Sequence, residues 1–188
     1  MKKIAIFASG SGSNAENIAK YFKNKDVEIS LILSNKKDAY VLERAKNLSI
    51  PSFVFNRVDF YDSDSVIKEL QKHNIDLVVL AGFLWLIPEN LITAFPDKII
   101  NIHPALLPNY GGKGMYGMNV HHAVKAAGEK ESGITIHFVN ENYDEGAIIS
   151  QHKVALSSTD SADDIAGKIH TLEYEFFPLA IEQVLENS

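Results

Sequence analysis

The chain has 188 residues, of which 46% are hydrophobic and 22% charged, and it carries a formal net charge of −6. Those proportions suit one compact domain, residues 1–188, with a sizeable core. The acidic balance argues against nucleic acid as the main partner, because neutralising phosphates needs a basic face. Cysteine is absent, which excludes disulfides, a thiolate nucleophile and cysteine metal ligands, and fits a reducing, cytoplasmic compartment.

In chain order, the apolar run KIAIFA (3–8) follows two lysines but breaks early at Gly and Ser. It falls far short of the roughly 18 residues a membrane span needs, so it reads as a buried strand and not as a signal or anchor. Further strands are predicted at 27–33, 52–55, 76–81 and 98–102, alternating with helical spacing at 14–24, 38–48, 62–74 and 88–95. Asn14, Asp38 and Asp62 are the expected helix caps. This alternation predicts an α/β, Rossmann-like open sheet, mostly parallel, with helices on both faces. After a loop at 104–118 and a helix at 119–127, GITIHFVN (133–140) and AIISQHKVAL (147–156) alternate as an antiparallel C-terminal hairpin around ENYDEG. A last helix spans 161–186, with an acidic, capped start.

In such a sheet, ligands sit beyond the carboxyl ends of the strands. SGSGSN (9–14) joins the first strand to the first helix there. Its glycines can bring backbone N–H groups to a phosphate at a helix N-terminus. It lacks the full dinucleotide pattern and the Lys-Ser/Thr pair of a Walker loop, so a single phosphate monoester fits better, and a plain βα turn fits as well. Asn101 and His103 stand two apart at a strand end and share a face if the strand persists. An amide can donate to a developing oxyanion and an imidazole can move a proton near neutral pH; a histidine merely satisfied at a strand end is the plainer reading. Asp144, in the turn before Gly146, would steady His103 if the fold brought the two together, and is otherwise an ordinary turn residue. The seven histidines form no H-E-x-x-H or similar ligand pair, so no metal is expected. No G-x-S-x-G elbow is present either.

GSGSN after the first strand, VVLAGF (78–83), NIHPALLP (101–108), SGITIHFV (132–139) and DEGAII (144–149) together resemble the phosphoribosylglycinamide formyltransferase family, in order and over essentially the whole chain. The resemblance implies the formyltransferase fold and transfer of a formyl group from the cosubstrate 10-formyltetrahydrofolate to the amine of glycinamide ribonucleotide, in purine biosynthesis, without a metal or an acyl-enzyme. It implies that Asn101 and protonated His103 stabilise the oxyanion, and that Asp144 keeps His103 charged and helps relay the proton. Gly12, Ser13 and Asn14 match positions that grip the ribonucleotide phosphate, with His170 nearby. Glu173 matches the contact to the glycinamide amine; a solvated helix carboxylate is its plain reading. Leu84, Trp85, Leu86 and Ile87 match the apolar wall of the folate pocket, and Asn140, Glu141 and Asp144 its hydrogen-bonding edge. Trp85 stands where many relatives carry Arg, and His122 and His170 also depart from the usual pattern. The glycine-rich segment 111–119 is expected to be a mobile lid whose Lys113 or Met115 reaches substrate. The length leaves no room for a tRNA-binding domain. Small-molecule partners are expected, with no nucleic acid and no membrane, for a monomer or homodimer. A formyltetrahydrofolate hydrolase and a silent phosphometabolite-binding module are the competing readings.

Overall fold

The computed structural model describes residues 1–187. Its elements run β1 (Lys2–Phe7), α1 (Ser13–Phe22), β2 (Val27–Ser34), α2 (Val41–Asn47), β3 (Ser52–Val54), α3 (Arg57–Tyr61), α4 (Ser65–Lys72), β4 (Leu77–Leu80), α5 (Glu89–Ala94), β5 (Ile99–His103), α6 (Met118–Ala126), β6 (Glu131–Phe138), β7 (Ile148–Ala155) and α7 (Ala162–Glu186). The fold is α/β: an open seven-stranded sheet in the order β3-β2-β1-β4-β5-β6-β7. β1 pairs in parallel with β2 and β4, β2 in parallel with β3, and β6 antiparallel with β7. Two compact units divide the chain, Met1–Ile100 and Asn101–Ser188.

In the first unit the strands that read as continuous apolar runs are those covered on both faces. Ile4, Ile6 and Phe7 of β1, Leu31, Ile32 and Leu33 of β2 and Leu77 of β4 are all buried, and α1 and α2 pack against β2. Strand order reverses at β1, which has β2 on one side and β4 on the other. The loops leaving β1 and β4 are joined at that point: Ser9 N–H donates to Gly82 O at 3.0 Å, and the buried Ser9 hydroxyl accepts from Leu84 N–H at 3.1 Å. This is the topological switch point at which open α/β sheets bind ligands.

Several expected helix starts are corrected. α1 begins at Ser13 with Gly12 as N-cap, in the left-handed region at φ 72°, so Asn14 lies inside the helix. α2 begins at Val41, beyond Asp38, and has no side-chain cap. The helix expected over 62–74 is α4, which starts three residues later at Ser65, and a separate short helix, α3, precedes it. Asn56 and Asp59 form a reciprocal capping box that starts α3 over a segment expected to be loop, Asp62 ends it, and α4 starts only at Ser65. Local side-chain to backbone bonding at Asn56 here outweighs the longer apolar periodicity.

In the second unit, α7 packs on β6 and β7 and begins with a Ser161/Asp164 capping box, as the acidic start led one to expect. Thr135, fully buried on β6, organises the chain leaving β5. Its hydroxyl donates to Ala105 O at 2.7 Å and accepts from Leu107 N–H at 3.0 Å and from Gln151 Nε2 at 2.9 Å. Gln151 in turn donates to Leu107 O at 2.9 Å.

Candidate active site

The alternation of β5 places Asn101 and His103 on one face, and in the second unit they meet Asp144 from the turn between β6 and β7. His103 is 3% exposed. Its Nε2 donates to Tyr110 O at 2.7 Å, and its Nδ1 lies 3.4 Å from Asp144 Oδ2. Both ring nitrogens therefore face acceptors, an arrangement that only the doubly protonated ring satisfies fully. Burial opposes that charge more strongly. It pulls the His103 pKa below its ordinary value, although Asp144 and the Tyr110 carbonyl raise it. In this buried site, losing hydration outweighs one carboxylate at 3.4 Å. Burial also pushes the Asp144 carboxyl up, but the His103 imidazole beside it and the Gly112 N–H, which donates to Oδ2 at 3.0 Å, act to hold it below the ordinary carboxylate range.

His137, to which no role was assigned from the sequence, completes the group. Its Nδ1 is 2.8 Å from Phe138 O, which can only accept, so Nδ1 carries the proton and Nε2, which faces the Asn101 Nδ2 donor, is placed as an acceptor. Asn101 Nδ2 fills that acceptor at 3.1 Å and turns its other hydrogen toward Asp144 Oδ1 at 3.4 Å. The available signal was alternation along β6, which puts His137 on the same face as the buried Thr135. Gly146 permits the approach, since a β-carbon there would lie 1.6 Å from Phe138 O and 3.4 Å from His137 Nδ1. The Asp-x-Gly pattern thus has a steric cause.

Other expected residues fall around this centre. Glu173 is 6% exposed, and His170 Nδ1 bonds its Oε2 at 3.0 Å. It is no solvated helix carboxylate, and the bond to Glu173 raises the His170 pKa. His121 is buried with no partner on Nδ1, and burial, with His170 nearby, lowers its pKa. Asn140 and Glu141 open the turn that carries Asp144, where Asn140 Oδ1 accepts from Asn142 N–H at 3.0 Å. In the segment 111–119, Gly112 is tied to Asp144, and Asn119 Nδ2 donates to Gly114 O at 3.1 Å. Lys113 is exposed and Met115 half-buried.

In the first unit, Gly12, Ser13 and Asn14 form the turn into α1. Leu84, Trp85 and Leu86 are half-buried and Ile87 is buried, consistent with an apolar wall. Trp85 leans on Phe55, Phe60, Phe83 and Tyr61. Arg57 lays its guanidinium 4.9 Å from the Trp85 ring, so a cation stands beside that tryptophan. Tyr61 OH donates to Leu86 O at 3.0 Å. Among the described residues, no cluster of His, Asp and Glu is arranged to hold a metal ion, and no helix is long and apolar enough to cross a membrane.

A buried imidazole flanked by a half-buried amide and a half-buried carboxylate, with no cysteine, is equipped to stabilise an oxyanion and move a proton, which is the chemistry of direct acyl transfer. The family model described as Formyl transferase matches residues 2–181, and the chain belongs to that family. It is 39% identical over 191 residues to the Phosphoribosylglycinamide formyltransferase of Bacillus subtilis (strain 168), covering 98% of this chain and 95% of that one. It is 41% identical over 192 residues to the chloroplastic enzyme of the same name from Arabidopsis thaliana, covering 98% of this chain but only 66% of that one, just under two thirds of its length. The solved phosphoribosylglycinamide formyltransferase from Streptococcus pneumoniae TIGR4 superposes with a TM-score of 0.87 at 36% identity, covering 98% of this chain and 99% of that one.

Proposed function

We propose that the whole chain, 1–188, acts as one formyltransferase domain that moves the formyl group of 10-formyltetrahydrofolate to the amine of glycinamide ribonucleotide, yielding formylglycinamide ribonucleotide and tetrahydrofolate. The observation that carries this reading is the Asn101–His103–Asp144 constellation of this chain, supported by its 39% identity to a relative of that name covered to 95% of its length. The amine nitrogen bonds to the formyl carbon and the carbonyl π electrons move to oxygen. The resulting oxyanion takes the His103 Nε2–H in place of Tyr110 O, exchanging one acceptor for another. It also takes the Asn101 hydrogen now spent on the longer, weaker contact to Asp144. The attacking amine loses its proton through water to the Asp144–His103 pair. The pair returns it to the folate nitrogen as the carbon–nitrogen bond breaks. No protein nucleophile is required.

In the same reading, Gly12, Ser13 and Asn14 receive the phosphate with His170 assisting, and Glu173 receives the glycinamide amine. Leu84, Trp85, Leu86 and Ile87 line the folate ring, whose polar edge meets Asn140, Glu141 and Asp144. The segment 111–119 closes over the reacting atoms and excludes water. The enzyme works in the cytoplasm on small molecules alone, as a monomer or homodimer.

The test is release of tetrahydrofolate from 10-formyltetrahydrofolate, followed by absorbance with and without glycinamide ribonucleotide. Release only with the nucleotide is the expected result. Release without it would mean hydrolysis, which the relatives do not favour, and no release at all would mean a binding module.

A further inference from the structure

The loop that precedes α1 is held residue by residue from α2. Val41 N–H donates to Gly10 O at 3.1 Å, and Arg44 Nε donates to Ser11 O at 2.8 Å. Gly12 lies so close to Val41 that a β-carbon would sit 2.3 Å from Val41 Cγ2 and 2.8 Å from Val41 Cα. The Arg44 guanidinium also pairs with Glu16 on the first turns of α1, and its planar group stands 5.0 Å from the Tyr40 ring. Arg44 and Glu16 are each about a quarter exposed, at 26% and 27%. One side chain therefore joins the glycine loop to the helix that follows it. Carbonyls at Gly10 and Ser11 are consumed by α2, and Gly12, as N-cap, supplies no side-chain oxygen to the amides of α1. An anion suits those amides.

We propose that Arg44 is a positioning residue for ribonucleotide binding: it fixes the backbone of Ser11 and Gly12 so that the α1 amides are aimed before the phosphate arrives. This rests on the reading of the Gly12–Asn14 turn as the phosphate site. Arg44 acts by shape, because Glu16 neutralises its charge and its hydrogen bonds go to protein groups. Its fork makes two bonds in one plane, which a lysine cannot reproduce. Arg44→Lys, similar in size and equal in charge, therefore behaves like Arg44→Ala, whereas a direct electrostatic role would leave the lysine variant near wild type.

Two measurements on the intact protein test the idea. Titrating the wild type with glycinamide ribonucleotide, and separately with inorganic phosphate, should shift the backbone amide resonances of residues 11–14. Both Arg44 variants, verified as folded by circular dichroism, should then bind the ribonucleotide about 10-fold more weakly. They should keep kcat and the KM for the formyl donor within about two-fold, a split that loss of fold stability would not produce. Wild-type amides that respond, together with variants that bind as tightly as the wild type, would overturn the role of Arg44. A wild-type-like lysine variant beside a weakened alanine variant would overturn positioning in favour of charge. Amides silent in the wild type would instead remove the phosphate reading itself.

Discussion

The Asn101 side-chain amide donates to His137 Nε2 at 3.1 Å, and the proton on the far ring nitrogen is fixed by Phe138 O at 2.8 Å. The orientation of the proposed oxyanion donor is thereby set from the neighbouring strand. Replacing Asn101 with Ala should lower kcat by about 10²–10³, the usual cost of an oxyanion donor. His137→Phe keeps a flat ring without the acceptor and should lower kcat by up to about 10²-fold, through misplacement of Asn101. The double variant should be no slower than Asn101→Ala alone, because both changes remove one function. Steady-state kinetics of the three variants decides it; multiplying effects would show that the residues act independently.

Gly146→Ala should disable the enzyme while leaving it folded. The added carbon would stand 1.6 Å from Phe138 O, so the turn must open and carry Asp144 away from His103 and Gly112. Loss of the Asp144 contacts should appear as a fall in kcat comparable to that of Asp144→Asn. Circular dichroism of the variant should remain that of the wild type.

Thr135→Val removes a hydroxyl of matched volume from a fully buried position. Leu107 N–H loses its bond, and Ala105 O loses its donor. Each orphaned buried group costs about 1–3 kcal/mol. Urea unfolding should show a lower midpoint with an unchanged slope, and kcat should fall because the chain leaving His103 is no longer pinned.

The parallel half of the fold was legible because its strands are apolar on both faces and punctuated by Gly, Asn and Asp; β1, β2 and β4 lie within a residue or so of their expected bounds. Asn101, His103 and Asp144 were legible as types and, for the first two, as a same-face pair. That Asp144 approaches His103 is a tertiary fact that spacing does not encode. His137 was hidden in an ordinary alternating strand, and its role rests on Phe138 O and Gly146, which are backbone features. α3 was missed because a five-residue helix set by one capping box leaves almost no periodic signature. The direction of the His103 shift depends on burial depth, to which a sequence motif gives no access.

That direction has consequences for pH. His103 and His121 are both lowered from 6.5, chiefly by burial. The unfolded chain therefore binds protons that the native chain refuses. Their contribution to stability is present above about 6.5 and is lost as pH falls from there toward the lowered native values. His170 runs the other way, since its bond to Glu173 raises it: the stability it adds is full below 6.5 and fades as pH rises through its native value. Being half exposed, it is screened and counts for less. Net stability by urea unfolding should thus decline from pH 7 to pH 5, and His121→Gln should flatten that decline. For catalysis, a neutral His103 is the form that accepts the amine proton, so kcat/KM should fall only on the acid side of its lowered value. Asp144→Asn removes the strongest influence raising His103, so the acid limb should move to lower pH while the plateau drops. NMR titration of the His103 ring should follow the same displacement; activity lost on the alkaline side of the His103 titration, instead of the acid side, would mean that the enzyme works from the charged imidazole.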